Sequence, residues 1–387
     1  MATLLSPREI LEILVAFPTV SRDSNLDLIA WVEGYLAAHG IVSTRVPNAD
    51  GTKSALYAQG GGNVAGGVIL SGHTDVVPVD GQTWASDPFQ VTERDGKLFG
   101  RGCVDMKGFD AIAIWACVEA HRRGTARPVQ LALSYDEEVG VIGCAEMIAH
   151  MRANLPHAAA AIIGEPSMME VVTGHKGGGG YDVHVRGFEI HSSLMHQGVN
   201  AIMEGARLIG WVNDRNAELA AATPSPQAAI FEPPFTTIHV GLIEGGSAHN
   251  ITALDCKFAV SFRCVPDDPM PDWADRLHAE AARIEAQMQE IRPSARVSLT
   301  EQFMVPPLQP EENGAAEQLA RKLTGDNGTH VVSYGTEAGH FQLHGVSAVV
   351  CGPGSISQAH QPDEYITISE FQKGQAFAEN LLSHLDQ

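Results

Sequence analysis

The residues of this sequence best suited to chemistry are His73, Asp75, Asp105, Glu137, Glu138, Glu165 and His360. Each stands at or just past the end of an apolar, strand-like run, or in the short loop that follows it. In an open α/β sheet those ends converge on one crevice, so residues far apart in sequence can meet there. Two imidazoles and several carboxylates in one cleft suit a pair of divalent cations better than other chemistry.

Each residue also has a plainer reading. In Ser71-Gly72-His73-Thr74-Asp75 the two-residue spacing points His73 and Asp75 to the same side of an extended segment. The acid can then accept the second ring N–H, fixing the tautomer of His73 and raising its basicity as a ligand. Alone, His-x-Asp is mostly coincidence. Asp105, in the glycine-bearing stretch 100–108, reads as a helix cap or as a carboxylate whose two oxygens bridge two cations. Glu137 and Glu138 follow the run 131–135, where adjacent like charges are costly unless solvated or neutralised. They form a solvated turn, or one ligates metal while its neighbour moves protons. Glu165 follows the run 162–164, and His360 lies in the stretch 352–364 beyond the apolar 349–351. Any one of these fits an ordinary surface loop; their shared position at strand ends argues for a site.

The elements that must position them are legible. Strand-like runs at 68–70, 129–135 and 158–163 alternate with helical patterns at 108–122 and 143–152, which predicts a largely parallel sheet covered by helices. After the glycine run 177–180 the order becomes strand 181–186, helix 199–213, strands 236–243 and 253–264, helix 273–291 and strand 296–301. That is βαββαβ, a layer of helices on an antiparallel sheet. The α/β style resumes after Pro306 and Pro307, with a helix near 315–323, a strand at 348–351 and a last helix. The reading is therefore an α/β domain over 1–179 and 304–387, interrupted by an inserted α+β domain over 180–303, with 223–234 a surface loop of the insert. Ser6, Pro7 and Glu9 mark a helix start, and Ile10, Leu11, Leu14 and Val15 give that helix its buried face.

Composition narrows the function. The length of 387 residues favours two domains, and 44% hydrophobic residues describe a globular protein. A net charge of -21 without clustered Lys and Arg argues against nucleic acid and welcomes a small cationic substrate. No apolar stretch approaches the roughly 18 residues of a membrane span, and no signal series opens the chain, so a cytoplasmic protein is expected. The six cysteines form no Cys-x-x-Cys pair and are expected to be reduced and buried. A Gly-x-Ser-x-Gly elbow is absent, and Gly60-Gly61-Gly62 precedes rather than follows a strand-like run. Serine hydrolase and dinucleotide chemistry are both disfavoured.

Taken in order, Gly72-His73-Thr74-Asp75, Asp105-Met106-Lys107-Gly108, Asp136-Glu137-Glu138, Gly164-Glu165-Pro166 and the histidine before Gln361-Pro362-Asp363-Glu364 resemble the motif series of the M20 family of dinuclear zinc peptidases and deacylases. The series spans nearly the whole chain. The βαββαβ insert resembles the family's dimerisation or lid domain, and Glu189-Ile190-His191-Ser192-Ser193 its lid histidine segment. The stretches 175–177, 198–202, 335–338 and 352–364 resemble the branch that acts on acetylated ornithine.

The resemblance implies a zinc-peptidase-like catalytic domain with two divalent ions, zinc by default, with cobalt or manganese able to take the same ligands. His73 and Glu165 would hold one ion, Glu138 and His360 the other, and Asp105 would bridge them. Asp75 would orient His73. Glu137 would take a proton from a water held between the ions and return it to the departing amine, with no covalent acyl intermediate. His191 would donate a hydrogen bond to the developing oxyanion, its rival being a structural residue of the insert. Arg263 and Asn250 would grip the substrate α-carboxylate, against an interstrand ion pair for Arg263. Glu337 would read the ornithine amine. The implied reaction is hydrolysis of the acetyl amide of N2-acetyl-L-ornithine in arginine biosynthesis, by a homodimer formed through the insert. Removal of succinyl from succinyl-diaminopimelate, or cleavage of another N-acyl amino acid, is the nearer alternative. A non-catalytic amino-acid-binding protein is the more distant one.

Overall fold

The protein is described here by a computed structural model covering residues 3–386. It forms two compact units, Met1–Gly174 with Leu308–Val331 and Thr336–Gln387, and His175–Pro307 with Val332–Gly335.

The first unit is built on a sheet whose strands lie in the order Ser43–Pro47, Ser54–Gly60, Val129–Ser134, Val68–His73, Ala160–Pro166, Ala348–Gly352, Val172–His175 and His330–Val332. The four central strands, Val129–Ser134 through Ala348–Gly352, run parallel, and Ser54–Gly60 and Val172–His175 pair antiparallel on either side of them. Helices bury both faces of the parallel core, so Val68–His73 and Val129–Ser134 are buried at every residue and read as near-continuous apolar runs. The helix Lys107–Arg123 packs against four strands of the sheet and against the helices Pro7–Val15 and Ile368–Leu385. Between those layers it is buried from Lys107 to Ala120, which explains its apolar sequence on every face. The N-terminal helix starts at a capping box: Ser6 Oγ accepts from the Glu9 amide at 3.2 Å, and Glu9 Oε2 accepts from the Ser6 amide at 2.8 Å.

The flanking strands Ser43–Pro47 and Ser54–Gly60 were not foreseen from the sequence. Both are short, and Ser54–Gly60 carries buried Ser54 and Gly60 and a half-buried Gln59, which hides the usual β-branched signal. Gly60-Gly61-Gly62 therefore closes one strand before the next begins. A Cβ at Gly60 would stand 1.9 Å from the Cys117 carbonyl oxygen of the central helix, so the residue is there for close backbone approach.

The second unit has the order βαββαβ: Gly177–Arg186, Ala201–Ala221, Thr237–Gly245, Asp255–Cys264, Met270–Ile291 and Arg296–Val305. Its four strands are antiparallel, ordered Thr237–Gly245, Asp255–Cys264, Gly177–Arg186, Arg296–Val305. One expectation needs correction. The glycine run does not precede the insert; it forms the first four residues of the insert's central strand, in register with Ser261–Cys264. Those glycines are buried because a Cβ at Gly178 would sit 2.3 Å from the Phe262 carbonyl oxygen and one at Gly180 would sit 2.5 Å from the Phe303 ring. Among the described residues no helix is long and apolar enough to cross a membrane. All six cysteines are free and buried.

Candidate metal centre

Parallel strands present their C-terminal ends at one edge of a sheet, and that edge gathers the acids and histidines. His73 closes Val68–His73, Glu137 and Glu138 follow Val129–Ser134, Glu165 lies in the last residues of Ala160–Pro166, and His360 comes after Ala348–Gly352. Asp105 reaches the same place from the turn ahead of the helix Lys107–Arg123.

His73 is fully buried. Its Nδ1 lies 2.9 Å from the Asp75 backbone carbonyl and 3.5 Å from the Asp75 carboxylate. The orienting partner is thus the main chain of Asp75 first and its side chain second, and Nε2 is left free to ligate. That nitrogen faces Asp105 Oδ1 at 3.2 Å and Glu165 Oε1 at 3.6 Å. The other oxygen of Asp105 faces His360 Nε2 at 3.1 Å, and His360 Nε2 lies 3.0 Å from Glu138 Oε2. One carboxylate therefore divides its two oxygens between two histidines. His360 holds a left-handed backbone, φ +64°, rare for a residue with a side chain.

Asp75 has a second task that sequence reading missed. Its carboxylate accepts from Ser21 Oγ at 2.7 Å and from the backbone amides of Glu137 at 3.1 Å and Glu138 at 3.3 Å. It anchors the acid loop as well as the histidine. Ser21 carries no local motif, so nothing in the sequence marks it.

Electrostatics show what the cleft requires. Burial first, then the charges of Asp105 and Glu137, push the Glu165 carboxyl well above its ordinary range. Glu137 is raised in the same way by burial, with His73 opposing and Glu138 reinforcing the shift. Hydrogen bonds to Asp105 and Glu138 raise the His360 imidazole to about 10. At His73 burial opposes the charged ring, yet Asp105 and Asp75 outweigh it and the group is raised well above its usual value. Crowded carboxylates that resist ionisation and imidazoles drawn toward protonation both signal a deficit of positive charge. Glu165 Oε1 is buried without a hydrogen-bond partner. Ligand atoms of His73, Glu137 and Glu165 lie within 4.8 Å of one another, as do those of His73, Asp105 and Glu138. A mixed imidazole and carboxylate donor set of this kind fits divalent metal ions.

Glu337 requires a correction. It is 1% exposed, and its carboxylate accepts from Ser71 Oγ at 2.9 Å and from Ser134 Oγ. A buried acid bonded to hydroxyls of two neighbouring strands cannot read a substrate amine; it ties Val68–His73 to Val129–Ser134 beneath His73. Glu337→Ala is expected to lower stability by about 1–3 kcal/mol through the unpaired serines, with substrate preference unchanged. Denaturant unfolding beside a substrate panel checks this.

His191, Asn250 and Arg263 belong to the second unit. His191 is exposed, with Nδ1 at 2.8 Å from Ser193 Oγ, and the adjacent Ser192 amide donates to the Asn250 carbonyl at 2.8 Å. Those two residues are neighbours. Arg263 is exposed on Asp255–Cys264, opposite Thr237 and Gly178, and among the described residues it has no ion pair. The interstrand ion pair considered as its rival role is not formed.

Comparison with known proteins points the same way. A family model described as Peptidase family M20/M25/M40 matches residues 69–384. The chain is 33% identical over 395 residues to an acetylornithine deacetylase of Myxococcus xanthus, covering 99% of this chain and 98% of that protein. It is 32% identical to an acetylornithine deacetylase of Pasteurella multocida, covering 92% and 91%. Among solved structures, an M20 family metallo-carboxypeptidase from Sulfolobus solfataricus superposes with a TM-score of 0.80 at 17% identity, covering 99% of both chains.

Proposed function

Because the chain belongs to Peptidase family M20/M25/M40 and is a metallo-amidohydrolase, we propose that it hydrolyses the acetyl amide of N2-acetyl-L-ornithine to L-ornithine and acetate. The observation that carries the catalytic part is Asp105, whose two oxygens face His73 and His360 at 3.2 and 3.1 Å. The substrate rests on the names of the full-length relatives.

In this reading His73 and Glu165 would hold one divalent ion and Glu138 and His360 the other, with Asp105 contributing an oxygen to each and zinc the expected metal. When bound, the ions supply positive charge that acidifies a water and polarises the amide carbonyl. Glu137 accepts the proton of that water as its oxygen attacks the acetyl carbon. Its amide is fixed by Asp75 at 3.1 Å, so the acid is held by its own backbone and stays free at its carboxylate. Glu137 then delivers the proton to the nitrogen as the C–N bond breaks, which releases acetate and the free amine. Burial of the acid raises its proton affinity, which favours uptake of the proton from water.

Release of acetate and ornithine, with and without a chelator and against a panel of acylated amino acids, tests the whole reading. Acetylornithine is expected to be the best substrate, and the chelator to abolish turnover. Faster cleavage of succinyl-diaminopimelate or of a neutral acetyl amino acid would transfer the assignment to that substrate. The proposed oxyanion role of His191 is tested by His191→Ala, expected to cost about 2.7–4 kcal/mol in the barrier with metal content unchanged.

We also propose a homodimer formed through the second unit. Thr237–Gly245 is an edge strand that leaves Leu242 74% and Ile243 58% exposed, an arrangement an isolated chain normally avoids. Leu242→Asp is expected to turn a dimer into a monomer in sedimentation equilibrium.

A further inference from the structure

We propose that the buried ion pair Arg101–Glu364 is a positioning brace that holds the Asp105 loop against the His360 loop, and so governs how tightly the ion assigned to Glu138 and His360 is bound. The inference rests on the two-ion reading above and concerns residues that touch no substrate.

Both side chains of the pair are 1% exposed, and Arg101 Nη1 meets Glu364 Oε2 at 2.6 Å. The other oxygen of Glu364 accepts from the backbone amides of Val104 at 3.0 Å and Asp105 at 3.2 Å. Glu364 therefore places the main chain of the bridging acid. Arg101 works on the opposite loop. Its Nη1 also donates to the Gln361 carbonyl at 3.4 Å, and its Nη2 donates to Gln82 Oε1 at 2.7 Å. Gln82 Nε2 in turn donates to the carbonyl of His360 itself at 3.0 Å. The guanidinium lies 5.1 Å from the centre of the Trp84 ring, which restricts its plane.

The five ligand-bearing segments are not equally supported. His73 and Glu165 lie within Val68–His73 and Ala160–Pro166, adjacent parallel strands whose ladder fixes their spacing. His360 sits on an irregular loop, its side chain 52% exposed, with little packing of its own. Its separation from Asp105 is set by the chain of contacts through Gln82, Arg101 and Glu364. A buried charge pair whose carboxylate and both Nη atoms are hydrogen-bonded is suited to such a registry role. Loss of the brace should loosen one ion and spare the other.

The test is zinc binding by competition with a fluorescent chelator on the full-length protein, for wild type and Glu364→Gln. The glutamine keeps the shape and one acceptor but loses the charge that holds Arg101. Expected is one ion at wild-type affinity and a second weakened by about 10- to 100-fold, the usual effect of removing an outer partner of a ligand. Excess zinc should then restore kcat with the far-ultraviolet spectrum unchanged throughout, which a general folding defect would not allow. Equal weakening of both ions, or two ions held as in wild type, overturns the brace while leaving the two-ion site intact. A wild-type chain that takes up fewer than two ions overturns both. If Glu364→Gln does not fold, the double variant Arg101→Met with Glu364→Gln leaves no unpaired charge and carries the same expectations.

Discussion

Glu137→Gln is expected to lower kcat by about 10²- to 10⁴-fold while the protein still binds two metal ions, because the substitution removes proton transfer and little else. Glutamine matches glutamate in shape, and the backbone amide of residue 137 would still donate to Asp75. The proposed ligands His73, Asp105, Glu138, Glu165 and His360 are untouched. The expected signature is a fall in kcat with KM and metal content near wild type, read by steady-state acetate release and by elemental analysis of the purified variant. The prediction separates the enzyme from a binding protein of the same fold, which has no use for an acid beside a full ligand set. Wild-type turnover in the variant would remove Glu137 from the chemistry, and loss of an ion would make it a ligand, a possibility its place within 4.8 Å of His73 and Glu165 keeps concrete.

The second large effect is expected at Asp105. Its carboxylate reaches His73 through Oδ1 and His360 through Oδ2, so Asp105→Asn replaces one of two acceptor oxygens by an NH2 group that cannot ligate a cation. The backbone contacts of residue 105 to Glu364 survive, which keeps the loop in place. At least one ion should be lost and kcat/KM should fall by about 10³-fold or more, equivalent to roughly 4 kcal/mol of transition-state stabilisation. Metal-to-protein ratio after gel filtration and kcat/KM on acetylornithine are the two measurements. Two ions retained at wild-type affinity would show that Asp105 does not bridge.

Much of the candidate site was visible in the order of residues because most of its proposed ligands are attached to strand ends. A parallel strand announces itself as a short apolar run, and the residue that follows it has its place at one edge of the sheet. His73, Glu137, Glu138, Glu165 and His360 could all be found that way. The inserted βαββαβ unit was legible for a similar reason, since its helices Ala201–Ala221 and Met270–Ile291 are long and amphipathic. The support of those ligands was less visible. Ser21 lies 54 residues from the Asp75 it bonds, and Arg101 lies 263 residues from Glu364. Such pairs have no spacing to recognise.

Glu337 shows the limit most clearly. A carboxylate in Gly335-Thr336-Glu337-Ala338 has the right type to meet a substrate amine, and residue type was all the sequence offered. Whether it faces the cleft depends on Ser71 and Ser134, which come from two strands distant in the chain and take up its oxygens. The glycine run makes the same point: its need for bare Cα positions comes from Phe262, Met270 and Phe303, side chains and backbone far along the sequence. The sequence by itself determined the alternation of elements, the class of ligands and the chemistry they can support, because those follow from local periodicity and functional groups. Only the tertiary structure decided which acids face one another, which is sealed beneath His73 and which loops are braced, because burial and hydrogen bonding are properties of segments brought together by packing.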